Sequence, residues 1–87
     1  MRVNFSHSFL KKLDKSPEKI RERFEERLGI FVENPFTSEL SNHALQGNFA
    51  GRRSINITGD WRAIYKKVGE DDVCFVAIGT HSQLYKK

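Results

Sequence analysis

Apolar and polar positions follow two periods along this chain, and the change from one to the other separates a helical half from a strand half. Val3 and Phe5 fall two apart within Arg2 to Phe5, the spacing of a short strand with one buried side. Ser6 or Ser8 then offers a helix cap, and Phe9-Leu10-Lys11-Lys12-Leu13 turns helical. Ser16-Pro17-Glu18 predicts a second helix start, with the hydroxyl as N-cap, proline at the first helical position and an acid in the first turn. Ile20, Phe24, Leu28 and Phe31 recur every three or four residues and build one apolar stripe. Arg21, Glu22, Glu25, Glu26 and Arg27 lie mostly off it, so this helix should rest on a core with its charged side in water. Asn34-Pro35 ends it, because the residue before a proline is pushed out of the helical region.

A connector of polar and small residues, carrying His43, follows to about Ala50. From Gly51 the period becomes two, over Arg52 to Thr58, Trp61 to Lys67 and Val73 to Ile78. Gly59-Asp60 and Gly69-Glu70-Asp71-Asp72 join these strands by turns short enough to require antiparallel hairpins. The expectation is a single α+β domain over residues 1–87 in the order β-α-α-β-β-β. Two helices would pack on one face of a small, mainly antiparallel, four-stranded sheet.

If the helices cover the side of Ile55 and Ile57, the other side of that strand carries Arg52, Ser54 and Asn56. Alternation along the last strand then puts Phe75, Ala77 and His81 together, with His43 entering from the connector. Cations beside aromatic rings suit a single-stranded nucleic acid, whose phosphates pair with the charge and whose bases stack. An ordinary solvated sheet face with scattered aromatics would have the same composition.

The 15 Lys and Arg against 11 Asp and Glu leave a formal charge of +4, which favours a polyanion or an acidic protein as partner. Cys74 is the only cysteine, which excludes an intramolecular disulfide, and Val73-Cys74-Phe75-Val76 reads it as a small buried hydrophobe. His7, His43, Cys74 and His81 lack the close paired spacings that hold zinc, so no metal and no other cofactor is expected. No apolar run approaches the ~20 residues of a membrane span, and a cytosolic protein is expected. The most informative residue is His81, placed where the last apolar strand gives out into Ser82-Gln83-Leu84-Tyr85. A histidine has an ordinary pKa of roughly 6.5, suited to proton transfer near neutrality. Two histidines and several arginines on one face also suit RNA cleavage, in which the ribose 2′-hydroxyl attacks, one group takes its proton and another protonates the departing 5′-oxygen.

Three blocks in order carry a resemblance: His43-Ala44-Leu45-Gln46-Gly47, Ser54-Ile55-Asn56-Ile57-Thr58-Gly59-Asp60-Trp61-Arg62-Ala63-Ile64-Tyr65, and Ile78-Gly79-Thr80-His81-Ser82-Gln83-Leu84-Tyr85. Together they resemble the YafQ branch of the RelE/ParE toxins of bacterial type II toxin-antitoxin systems. The resemblance implies a ribosome-dependent, metal-independent mRNA endoribonuclease held in a hetero-oligomeric complex by a cognate antitoxin. It implies that His43 is the histidine of a His-Pro-Leu motif, here with Ala44 for the proline, and that Asp60 and Trp61 are its Asp-Trp pair. His81 is then the histidine of a Gly-Thr-His motif and Tyr85 the aromatic residue near the C-terminus, while Arg62 is similar to a RelE-branch arginine on the scissile phosphate. His81, His43, Asp60, Arg62 and Tyr85 are thus the expected catalytic residues, and Trp61, Arg52, Arg53 and Asn56 the expected RNA contacts. The simpler readings are a turn residue for Asp60, a packing residue for Trp61 or Tyr85, a backbone-capping loop histidine for His43 and a solvated strand charge for Arg62. The chain departs from the branch at Asn56, where the pattern has histidine, and at Ala77, where it has arginine. Two alternatives remain from these residues: a gyrase poison of the ParE kind, and a catalytically weakened toxin that serves as an antitoxin-binding module.

Overall fold

The Ser6 hydroxyl accepts the Phe9 N–H at 3.1 Å, and this cap starts helix α1 (His7–Asp14) immediately after strand β1 (Arg2–Phe5) in the computed structural model, which describes residues 1–85. Ser16 acts differently from the sequence expectation. Its hydroxyl donates to the Lys12 carbonyl at 2.8 Å, closing the end of α1, and helix α2 (Glu18–Glu33) begins after Pro17 without a side-chain cap. Asn34 ends α2 as its neighbour Pro35 requires.

Strands β2 (His43–Ala44), β3 (Arg52–Asn56), β4 (Trp61–Lys67) and β5 (Asp72–Thr80) complete a sheet in the order β1-β5-β4-β3-β2. β1 runs parallel to β5 and the other pairs are antiparallel. The sheet therefore has five strands and not four. The extra one is β2, paired through His43↔Ser54 and Ala44↔Arg53, and two residues in a polar connector are too few to show a period. The chain also forms a third helix, α3 (His81–Leu84), where a polar tail was expected.

The sequence expectation also misplaced Phe75, because β4 and β5 do not stay in step. Ile64 pairs with Ala77 but Tyr65 pairs with Phe75, so Val76 is an extra residue on β5. One extra residue reverses the side on which every later residue points. Phe75 and Ile78 consequently both enter the core beneath the helices, while Ala77 and Gly79 turn to the other face. Phe75 is fully buried, with ring centroids 6.0 Å from Phe5, 5.7 Å from Phe9, and 5.4 Å from each of Phe24, Phe31 and Tyr65. Aromatic contacts at these separations add to the gain from removing the rings from water. The opposite face is not the open surface expected of it either, since Ser54 and Ile64 there are fully buried. Cys74 is only half-buried, because its neighbours Val73 and Phe75 take the core side.

Helix α3 folds back onto β5 through its first residues. Thr80 accepts the Gln83 N–H at 3.2 Å through its hydroxyl, and the Gln83 carboxamide oxygen accepts the Thr80 N–H at 3.0 Å, which makes a reciprocal capping box. Gly79 allows this close approach: a Cβ there would stand 2.9 Å from the Gln83 Oε1 and 3.5 Å from a Leu84 methyl carbon. The His81 N–H donates to the Asp60 carbonyl at 2.9 Å, tying α3 to the turn between β3 and β4.

Phe75→Ala should destabilise the fold by about 3–5 kcal/mol, read from urea unfolding, and a loss under about 1 kcal/mol would mean that the aromatic cluster is not the core. Gly79→Ala should displace the Gln83 carboxamide and deprive the Thr80 amide of a bond worth about 0.5–1.5 kcal/mol. Hydrogen exchange of that amide should then accelerate several-fold, and an unchanged rate would refute the packing described.

Candidate active site

Two irregular segments flank the sheet face away from α1 and α2: the connector around β2 on one side and α3 on the other. Between them lies a cleft of about 380 Å³ lined by Ser41, His43, Leu45, Asn56, Arg62, His81 and Tyr85. On β5 the residues facing this side after the bulge are Ala77 and Gly79, too small to fill it. The cleft thus brings together five of the nine residues singled out from the sequence, from β2, β3, β4 and α3.

His43 is oriented by its own backbone. Ser41 adopts a left-handed conformation (φ 49°), rare for a residue with a Cβ, and the Ser41 carbonyl lies 2.8 Å from the His43 Nδ1. A carbonyl oxygen only accepts, so Nδ1 carries the hydrogen and Nε2 of the neutral ring is left as the acceptor. Asn42 fixes the same segment from the other side, donating to the Pro35 carbonyl at 2.8 Å and the Tyr65 hydroxyl at 2.7 Å, while accepting from the Arg53 Nε at 2.7 Å.

Arg62 is half-buried and held through one end of its guanidinium. Nη1 donates to the carbonyls of Thr58, Gly59 and Trp61, each at 3.1 Å. No carboxylate among the described residues forms an ion pair with it, and its other N–H groups leave a fixed cation with donors to offer an anion. Its cross-strand neighbours are Asn56 and Gly79, neither of which carries charge.

His81 and Tyr85 stand one turn apart on and just after α3, with ring centroids 4.7 Å apart. Phe49, from the turn Gly47–Phe49, also meets Tyr85, edge-on at 5.9 Å. The Tyr85 hydroxyl is buried with no hydrogen-bond partner among the described residues. Such a group costs about 1–3 kcal/mol.

The four other residues singled out lie elsewhere. Asp60 is exposed on its turn and meets this region through its backbone carbonyl. Trp61 is half-buried and packs against the core. Arg52 and Arg53, at the far end of β3 from Asn56, line a separate groove on the helix side. Leu45 and Phe49 were not anticipated, and Ser41 was expected only as a backbone group that His43 could cap, which its carbonyl is. A phenylalanine in a glycine-flanked loop is a weak signal for Phe49, whereas nothing in the sequence indicates the left-handed backbone at Ser41. Among the described residues no three His, Cys, Asp or Glu side chains gather as a metal site would require.

Comparisons with known proteins identify the family and the fold. The model of the family described as "Bacterial toxin of type II toxin-antitoxin system, YafQ" matches residues 1–86. No curated protein sequence matches the chain. Among solved structures, YafQ from E. coli strain BL21(DE3) superposes with a TM-score of 0.78 at 26% identity, over 98% of this chain and 99% of that one. YafQ in the E. coli DinJ-YafQ complex gives 0.76 at 26% identity, again over 98% and 99%. A YoeB/ParE toxin from Agrobacterium tumefaciens gives 0.77 over 93% and 99%, and at 19% identity shows the shared fold alone. With a family match over nearly its whole length and a five-stranded α+β fold of the same kind, the chain belongs to the YafQ family of bacterial type II toxin-antitoxin toxins.

Proposed function

We propose that this toxin is an mRNA endoribonuclease that acts in the ribosomal A site, in the cytoplasm, and is neutralised by a cognate antitoxin. The observation that carries the reading is the convergence of His43, Arg62, His81 and Tyr85 on one cleft. The His43 Nε2, left as an acceptor by the Ser41 carbonyl, takes the proton of the ribose 2′-hydroxyl. The 2′-oxygen attacks phosphorus and the bond to the 5′-oxygen breaks, leaving a 2′,3′-cyclic phosphate. His81 gives the leaving oxygen its proton. Arg62 bears the charge that builds on the phosphoryl oxygens, and its anchorage to three carbonyls means that little reorganisation is needed as that charge appears. Tyr85 holds the His81 ring in place. The chemistry needs no metal.

The antitoxin-binding module is the second reading, and Asn56 favours it. Asn56 lines the cleft at the position where the family pattern has a histidine, and an asparagine neither gives up nor takes a proton. Ala77 turns to the same side of the sheet where the pattern has an arginine. Poisoning of gyrase gains nothing from these residues, since two histidines and an anchored arginine in one cleft are what proton and phosphoryl chemistry requires.

Ribosomes programmed with a defined mRNA, followed by primer extension, decide between the first two readings. The wild-type protein should give discrete A-site cuts that His81→Ala and His43→Ala abolish. Arg62→Ala should slow cleavage by about 10²–10³-fold. Intact mRNA in a folded, antitoxin-free preparation would leave the binding module as the function. Asn56→His should raise the cleavage rate if the missing histidine limits it, and no change would show that cleavage does not depend on a titratable group at that position.

A further inference from the structure

The helix layer does not reach the whole sheet. Beyond the end of α2 a groove of about 440 Å³ remains, within the size of ordinary ligand pockets, and its floor is made of the core residues Phe31, Tyr65 and Val73. Phe36 stands at its edge with 66% of its surface exposed, the Arg53 guanidinium lying 5.2 Å from the centre of its ring. Arg52, Arg53 and Lys67 line the same groove, and no carboxylate among the described residues does. An apolar floor rimmed by cations is complementary to apolar side chains flanked by acidic ones. A nucleic acid would use the charge, but Phe31 and Tyr65 are buried and the Arg53 guanidinium lies over one face of Phe36, so its bases would find little open ring to stack on.

The groove is also connected to the cleft. Ala44 lines the groove and His43 lines the cleft, so the two-residue strand β2 has one site on each side. Arg53, at the groove, holds Asn42, the residue before His43.

We infer that this groove is the docking site for an apolar, carboxylate-flanked segment of the antitoxin, which binds on the opposite side of β2 from the catalytic cleft. The inference rests on the reading that a cognate antitoxin exists. The segment's leucine-sized or aromatic side chains cover the exposed Phe36, Met1 and Ala44 above the buried floor, and its carboxylates meet Arg52, Arg53 and Lys67. Binding there leaves the His81 and Arg62 side of the cleft open, and bears on His43 through β2.

The test is calorimetric titration of the full chain with the antitoxin encoded beside it, comparing wild type, the double variant Phe36→Ala/Lys67→Glu, and His81→Ala as a cleft control. Phe36 and Lys67 are exposed and outside the cleft, so thermal unfolding and ribosome-dependent cleavage by the double variant should match wild type. Its antitoxin affinity should fall at least about tenfold, with His81→Ala unaffected. Equal affinity in wild type and a folded double variant would overturn the inference. So would a double variant that keeps the antitoxin but loses ribosome affinity, which would make the groove an RNA contact. Failure of the wild-type chain to bind would overturn the antitoxin reading itself, and the groove assignment with it.

Discussion

The irregular pairing of Ile64-Tyr65 with β5 is the constraint on which the rest of this molecule depends. Without an extra residue at Val76, strict alternation would put Phe75 and Ile78 on opposite faces of the sheet. With it, both large side chains lie beneath the helices and Phe75 becomes the ring that touches five others. The same reversal sends Ala77 and Gly79 to the far face, where small residues leave a concavity. One bulge thus fills the core and hollows the cleft, a use of bulges consistent with their concentration near functional sites.

The cleft is built on this floor by segments that have little regular structure and are held by specific bonds. On one side, Asn42 fixes the connector to Pro35, Tyr65 and Arg53, and Ser41 turns its carbonyl onto His43 at the cost of a left-handed backbone. That cost is of order 1–2 kcal/mol, and it sets which nitrogen of the histidine faces the cleft with a free lone pair. On the other side, a four-residue helix that could not persist alone is stabilised by its capping box, by Gly79 beneath it and by the Asp60 carbonyl. Asp60 and Gly79 therefore contribute to the placement of α3 through backbone geometry, while the Asp60 side chain is exposed.

What could be read from the sequence divides along the same physical line. The apolar stripe of Ile20, Phe24, Leu28 and Phe31, the strand at Val3 and Phe5, and the two hairpins were legible because period and turn chemistry are local properties. The side assigned to Phe75 was wrong because a bulge is a relation between two strands and leaves no mark in the spacing of either one. Strand β2 and helix α3 escaped notice because their lengths are below any period, and the role of Ser16 because its hydroxyl could serve either the helix before it or the one after. For the cleft, residue types together with the resemblance indicated His43, Asn56, Arg62, His81 and Tyr85, which the fold brings together from four elements. The same reasoning grouped Arg52, Arg53 and Trp61 with them, but Arg52 lies at the other end of β3, which alternation cannot tell, and Arg53 and Trp61 fall on the core side of the sheet.

The departures at Asn56 and Ala77 acquire a specific meaning from this geometry. Both positions lie on the cleft side, one on its lining and one on the floor created by the bulge. In the proposed reaction the phosphate then meets one lining cation, Arg62, where the family pattern provides a second, and a cation that must act alone gains most from being fixed in advance. Arg62 meets that requirement, because three carbonyls hold one end of its guanidinium and no carboxylate among the described residues competes for the rest. Electrostatic stabilisation depends on how little the stabilising group must move as charge develops, as well as on how many such groups there are. An anchored Arg62 and a histidine with a fixed tautomer therefore preserve the two features that proton and phosphoryl transfer most require, even where the pattern around them has thinned.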